Sequence, residues 1–151
     1  GEYLSGTDMD EPSNELSSFT PLFGTNHGFN GHMDYFYVGN HQNSVGLLDI
    51  YGKLMYSKQK FSFSATPHFF SAAANVVGAD KEQKEEYLGT EIDLAAGYRI
   101  SKNISVNAGY SQMFGTESLE VLKGGDKDKI QNWGWLMVNF SPSLFSYSKQ
   151  D

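Results

Sequence analysis

Residues 87–113, YLGTEIDLAAGYRI-SKN-ISVNAGYSQM, decide the fold of this chain. Apolar side chains alternate with polar ones on both sides of the short segment Ser101-Lys102-Asn103. Alternation with a period of two predicts a strand with one apolar and one polar face, and a short polar break between two such runs predicts a hairpin. Each arm has roughly ten residues, the length that crosses a bilayer at a tilt.

The same alternation continues on both sides of this hairpin. It predicts further strands over residues 1–6, 45–56, 61–72 and 133–141. The connections alternate between short turns, residues 57–60 and 101–103, and long loops, residues 75–86 and 115–130. Outer-membrane β-barrels have short turns at one edge and long loops at the other. We therefore predict an all-β chain, an antiparallel up-and-down meander of about six strands that forms a segment of such a barrel.

Three segments depart from plain alternation. Pro67 removes a backbone donor, which predicts a bulge or an edge position for its strand. One short helix is predicted in the loop after the hairpin, with Thr116 as its cap and Gly124 as its stop. Residues 7–43 follow neither period, and we predict a long, ordered loop excursion with one helical turn around residues 32–36. We assign the whole of 1–151 to a single β-domain.

The composition restricts the class of protein. The net charge is -7 and no basic stripe is present, so we expect no nucleic-acid partner. The chain has no cysteine, which excludes disulfides and thiolate chemistry. It has no apolar run of about 18 residues that would form a membrane-spanning helix. No signal peptide is visible in its first residues.

The two faces of the predicted sheet differ in chemistry. In a barrel, the apolar face meets lipid and the polar face lines the lumen. Aromatic residues near the two ends of the strands predict two girdles at the membrane surfaces: Tyr56, Phe61 and Tyr98 near the short turns, and Tyr87, Tyr110, Phe114 and Trp133 near the long loops. The pore-lining candidates are Asp49, Lys53, Glu91, Asp93 and Arg99. A soluble sheet, with its apolar face in a core, has the same alternation.

One segment resembles a known family. Residues 21–40 read PLFGTNHGFNGHMDYFYVGN, and residues 46–51, 87–94 and 108–114 follow as strand segments. Together they resemble the alginate-export family of outer-membrane porins, over nearly the whole chain. The loop motif that carries the resemblance comprises His27, Gly31, Asp34, Tyr35, Gly39 and Asn40.

The resemblance implies a barrel longer than this chain, located in the cell outer membrane, of which the chain is the C-terminal part. It implies membrane lipid and a small solute or a polysaccharide as partners, and no cofactor. Membrane barrels begin at about eight strands. We therefore expect the chain to self-associate or to fold its apolar face inward, burying Ile50, Leu94 and Val106.

The charge of the predicted lumen differs from the charge that the resemblance implies. The resemblance implies a strongly basic lumen for a polyanionic polysaccharide, but Arg99 is the only arginine here, and the pore-lining candidates contain more acids than bases. A polyanion would be concentrated by the opposite charge. We therefore predict porin-type transport of an unidentified solute, with polysaccharide export as the family's implication.

Neither catalysis nor metal binding is expected. His27, His32, Asp34 and His41 lie close in sequence but match no metal-binding signature, so we predict no metal. Nucleophile elbows, phosphate loops and HExxH motifs are absent from the sequence. Glu91 and Asp93 share a strand face, and we expect Arg99 or Lys53 to balance their charges. The chain is predicted not to be an enzyme.

Two other functions are compatible with the same alternation. A soluble lipocalin-like β-barrel would turn the apolar face inward and bind an apolar ligand. A surface protein would use its long loops for adhesion. Insertion into a membrane distinguishes the channel from the lipocalin-like barrel.

Overall fold

The structure is a computed structural model that describes residues 1–10 and 16–145. Alternating segments form strands because their apolar side chains can share one face of a sheet. The elements, in chain order, are β1 (Glu2–Leu4), β2 (Leu47–Tyr51), β3 (Leu54–Lys58), β4 (Phe61–Ser71), β5 (Tyr87–Ser101), β6 (Ile104–Gly115), α1 (Glu117–Lys123) and β7 (Gln131–Phe140). All seven strands belong to one sheet.

The sheet is an antiparallel meander. Its strand order is β1-β2-β4-β5-β6-β7, and β3 also pairs with β4. Short turns lie at one edge, and the segments 5–46, 72–86 and 116–130 all leave from the other edge, which we call the long-loop edge. The predicted all-β meander with one short helix is confirmed. Among the described residues, β1 and β7 do not pair with each other, so this sheet is open.

Pro67 explains why the strand predicted over residues 45–56 is divided into β2 and β3. β2 and β3 pair with β4 in one continuous register, with Tyr51 opposite His68 and Leu54 opposite Ala65. The gap between them faces Pro67, which has no N–H to donate, although its carbonyl still accepts from Gly52 N at 3.3 Å. β4 lies inside the sheet, and its irregularity is between Phe70 and Ser71. The predictions of a bulge or an edge at Pro67 are therefore wrong.

The helix is confirmed, but its predicted capping differs. Thr116 occupies the N-cap position without a side-chain capping hydrogen bond. Its hydroxyl instead donates to the carbonyl of Tyr87 at 2.8 Å, which ties α1 to β5. Gly124 ends the helix with a φ of 72°, as predicted. The helical turn predicted around residues 32–36 is absent: that segment consists of successive turns.

The buried core lies at the long-loop edge, on the polar face. There Leu47, Phe70 and Met113 point from the sheet towards Phe36 of the loop excursion, and the Phe36 and Phe70 rings lie 4.6 Å apart. Leu119 of α1 completes this cluster. The loops therefore supply the partners for the apolar residues at the ends of these strands.

The apolar face remains uncovered in the described part of the chain. Ile50 is 56% exposed, and Leu94 and Val106 are covered only in part. The described residues do not show the inward folding of this face, and self-association stays a prediction. The structure also gives the phase of β7, whose sequence is apolar on both faces: Leu136 shares the apolar face with Ala108, and Trp135 shares the polar face with Gly109. None of the described helices is long and apolar enough to span a membrane.

We predict that Gly109→Ala will destabilise the sheet. The indole of Trp135 lies over Gly109, and an added Cβ would lie 2.2 Å from its Nε1. Overpacking of this kind costs about 1–3 kcal/mol in free energy of unfolding. The measurement is guanidinium unfolding followed by tryptophan fluorescence.

Gly134→Ala is the matched control for this prediction. Its added Cβ would approach only the carbonyl oxygen of Gly109, at 3.5 Å, an ordinary contact. Equal losses of stability in the two variants would contradict the close packing of Trp135 on Gly109.

Candidate functional site

The candidate site is built on the polar face, near the long-loop edge. The register places Asp93 opposite Thr66 and Ser111, and Glu91 opposite His68 and Met113. Asp49 on β2, Glu91 and Asp93 are almost completely buried. The other two pore-lining candidates, Lys53 and Arg99, are on the same face but exposed. The five predicted residues thus share a face, and only the three acids meet in one cluster.

The loop excursion covers this acidic cluster and donates hydrogen bonds to it. The backbone N–H of Met33 donates to Glu91 Oε1 at 2.8 Å, and that of His32 donates to Asp93 Oδ2 at 3.2 Å. The amide of Asn30 reaches Asp49 Oδ2 at 3.4 Å. Hydrogen bonds of this kind contribute about 0.5–1.5 kcal/mol each, and up to about 3 kcal/mol where the acceptor is ionised. The acids therefore hold the excursion on the sheet.

His68 connects two of the acids. Its Nδ1 lies 3.0 Å from both carboxylate oxygens of Asp49, and its Nε2 lies 3.7 Å from Asp93 Oδ2. The hydroxyl of Ser111 donates to Asp93 Oδ1 at 2.5 Å.

Neither Arg99 nor Lys53 forms an ion pair with Glu91 or Asp93, and the ionisable side chain nearest to Asp93 is that of a histidine. Arg99 is six positions beyond Asp93, about 20 Å along the strand. Buried acids commonly require nearby donors, and here His68, Ser111 and loop N–H groups supply them.

The loop-motif residues shape the excursion itself. The ring of His27 stacks on Trp133 at 4.3 Å, and its backbone N–H donates to Asp34 Oδ1 at 2.8 Å. Asn40 Nδ2 donates to the carbonyl of Asp34 at 2.7 Å. The hydroxyl of Tyr35 donates to Gln131 Oε1 at 2.8 Å. These contacts make Asp34 the centre of the loop.

Two glycines of the motif permit close approach. A Cβ on Gly39 would lie 2.7 Å from the Tyr37 ring. Gly31 has a φ of 84°, and a Cβ there would lie 2.6 Å from Glu91 Oε2. Only glycine adopts such a φ without strain and leaves this space free. Gly31 therefore allows the two backbone donors that follow it to reach the acids.

Two ionisable groups are buried where the excursion meets α1. His41 packs edge-on against Phe36 and lies 3.0 Å from the Gly46 carbonyl through its Nε2. Burial lowers the pKa of His41 to about 4, with a smaller contribution from the charge of Lys123. Burial also lowers the pKa of Lys123 to about 8, while its Nζ donates to the Asn40 carbonyl at 2.8 Å.

The sequence prediction missed several residues of the site. His68, Ser111 and Asn30 belong to the acidic cluster, and Gln131 and Trp133 anchor the loop. His68 and Ser111 could have been identified from the sequence, since the alternation places both side chains on the polar face. Trp133 was predicted to belong to an aromatic girdle, which is wrong because it lies on the polar face beneath His27.

The cluster has no arrangement suited to a metal ion. Within residues 1–10 and 16–145, no group of three or more His, Asp or Glu side chains converges to hold one. The acids are instead occupied with loop backbone and neighbouring side chains. The chemistry that the geometry supports is anchoring of a loop over a polar surface.

No protein-family model, curated protein or solved structure matches this chain. The likeness to alginate exporters therefore stays a prediction from the sequence.

We predict that Gly31→Ala will loosen the excursion. The added methyl group meets the buried Glu91 carboxylate, and the positive φ adds backbone strain, together costing about 1–3 kcal/mol. Hydrogen exchange at the Met33 amide should become faster. Gly52→Ala is the control, since its Cβ would have no neighbour within 4 Å. Unchanged exchange in Gly31→Ala would contradict the anchoring.

We also predict that His41 makes the fold less stable in acid. Its pKa is about 4 in the folded chain, against the ordinary value of 6.5 for a solvated histidine. The unfolded chain therefore takes up the proton first as the pH falls from 6.5 towards 4. The free energy of unfolding should decrease across that window by up to about 3 kcal/mol. Unfolding titrations at several pH values should show a shallower decrease for His41→Gln, and identical slopes would refute the assignment.

Proposed function

We propose that this chain is part of an outer-membrane β-barrel that transports a solute through a channel. The observation that carries the proposal is that the sheet exposes its apolar face and buries residues on its polar face. The apolar face is open, with Leu136 72% exposed, while the buried core and the acidic cluster lie on the polar face. A bilayer would cover the open face, and the polar face would line the lumen.

The extent of the open face favours a membrane over water. The exposed apolar residues continue across the sheet, from Ile50 and Phe69 through Ile92 to Tyr110 and Leu136. Soluble monomers rarely expose a contiguous apolar patch of more than a few hundred Å². Tyr56 and Tyr98 are exposed near the short turns, and Tyr87 and Phe114 near the long loops, as two aromatic girdles would require.

The remainder of the polar face is suited to an aqueous passage. Below the cluster it carries small side chains such as Ser62, Ser64, Gly97 and Ser105, which leave space for water, beside Met55, Trp135 and Met137. The excursion would narrow the lumen at the long-loop side, because it is folded over the polar face. The open edges of the sheet at β1 and β7 would pair with further strands of the barrel.

A lipocalin-like barrel is less consistent with these positions. That function requires the apolar face to enclose the ligand. Here the loops pack on the opposite face, where they bury the acids together with the apolar core of the long-loop edge. The resemblance extends the proposal to polysaccharide export from the cell.

The test uses two adjacent positions of β7 on opposite faces. Leu136→Arg places a charge on the apolar face, and Met137→Arg places the same charge on the polar face, from starting side chains that are both at least half exposed. In lipid vesicles we expect Leu136→Arg to cost about 2–4 kcal/mol and Met137→Arg less than about 1 kcal/mol. Guanidinium unfolding from the vesicles gives both values.

The second measurement is ion conductance, in planar bilayers, of the full-length protein that would contain this chain. Conducting steps together with the unequal cost of the two arginines would support the channel. A protein that is silent in bilayers, stays folded without detergent and tolerates both arginines equally would be a soluble sheet instead.

A further inference from the structure

A cavity of about 470 Å³ opens on the polar face between the excursion and strands β2 and β4. Its walls include His32 from the excursion, Asp49, Tyr51 and Lys53 from the β2 side, and Asp93 from β5. It lies beside the acidic cluster, on the surface that a solute would meet in the lumen.

The walls of this cavity combine donors, acceptors and one aromatic surface. Glu2, Asp49 and Asp93 supply carboxylate oxygens, and Lys53 supplies an exposed ammonium group. His32 Nδ1 is buried and has no hydrogen-bond partner among the described residues. The ring of Tyr51 stacks on His68 at 5.1 Å, and its residue is 49% exposed. An aromatic ring thus lies beside both hydrogen-bond donors and hydrogen-bond acceptors.

We propose that this cavity binds a neutral, hydroxyl-rich solute such as a sugar. A hydroxyl both donates and accepts, so it pairs equally well with a carboxylate, an ammonium group and an imidazole nitrogen. The C–H face of a sugar ring packs on an aromatic ring such as that of Tyr51. The proposal rests on the channel function proposed above, because it names the class of solute that the lumen recognises.

The charges in the cavity argue against charged solutes. An anionic sugar acid would approach the carboxylates of Asp49 and Asp93, which repel it. A cation would find these carboxylates already accepting hydrogen bonds, Glu2 from Asn30, Asp49 from His68 and Asp93 from Ser111, and would also meet Lys53. A neutral solute avoids both penalties.

The experiment compares three sugars that differ in charge. Glucose, glucuronate and glucosamine share one ring and are neutral, anionic and cationic near neutral pH. Saturation-transfer NMR and titration with the purified protein in detergent micelles measure their binding. We expect glucose to bind more tightly than glucuronate and glucosamine. Preference for glucuronate or glucosamine, or no binding of any of the three, would overturn the proposal.

Two substitutions locate the binding in this cavity. His32→Ala removes the unpartnered imidazole but keeps the backbone N–H that holds the excursion, and should weaken glucose binding about five- to tenfold. Lys53→Gln should also weaken it, whereas Lys102→Gln in the short turn is the matched control and should not. Unchanged binding in both cavity variants would place the sugar elsewhere and overturn the assignment.

The binding readout is independent of the channel readout. Glucose binding without bilayer conductance would support the sugar site and contradict the channel function. Conductance without a preference for glucose would support the channel function and contradict the sugar site.

Discussion

The hydrogen bonds from the backbone of the excursion to Glu91 and Asp93 are the constraint on which the site depends. Met33 and His32 donate from successive positions, so one short segment gives a hydrogen bond to each of two buried acids. Without these donors the acids would be buried on the sheet with too few partners, which is costly. Without the acids, the turns of the excursion would have little to hold them to the polar face.

This anchoring separates the molecule into two environments. At the long-loop edge, the excursion, the loops and α1 bury a core on the polar face. Towards the short turns, the polar face is open and carries small residues, and the apolar face is open along the strands. The sheet therefore buries three of its acids on one face and displays apolar side chains on the other, which is the arrangement expected of a sheet whose apolar face meets lipid rather than water.

Much of the fold could be predicted from the sequence, because alternation is a local property. The hairpin around residue 102, the short-long pattern of connections and the stop of α1 at Gly124 all follow from neighbouring residues. Less of the candidate site could be predicted from the sequence. The motif residues of the loop and the acids of β5 could each be identified, yet their contact joins positions about sixty residues apart, with nothing local to indicate it.

The sequence by itself determined the strands, their faces and the placement of acids on the polar face, since a period of two fixes which side chains point together. Only the tertiary structure decided that the excursion covers the acids, that His68 rather than Arg99 lies between them, and that the apolar face is left open. The physical reason is that burial and charge pairing depend on which distant segments meet. Alternation along a strand carries no information about its partners across space.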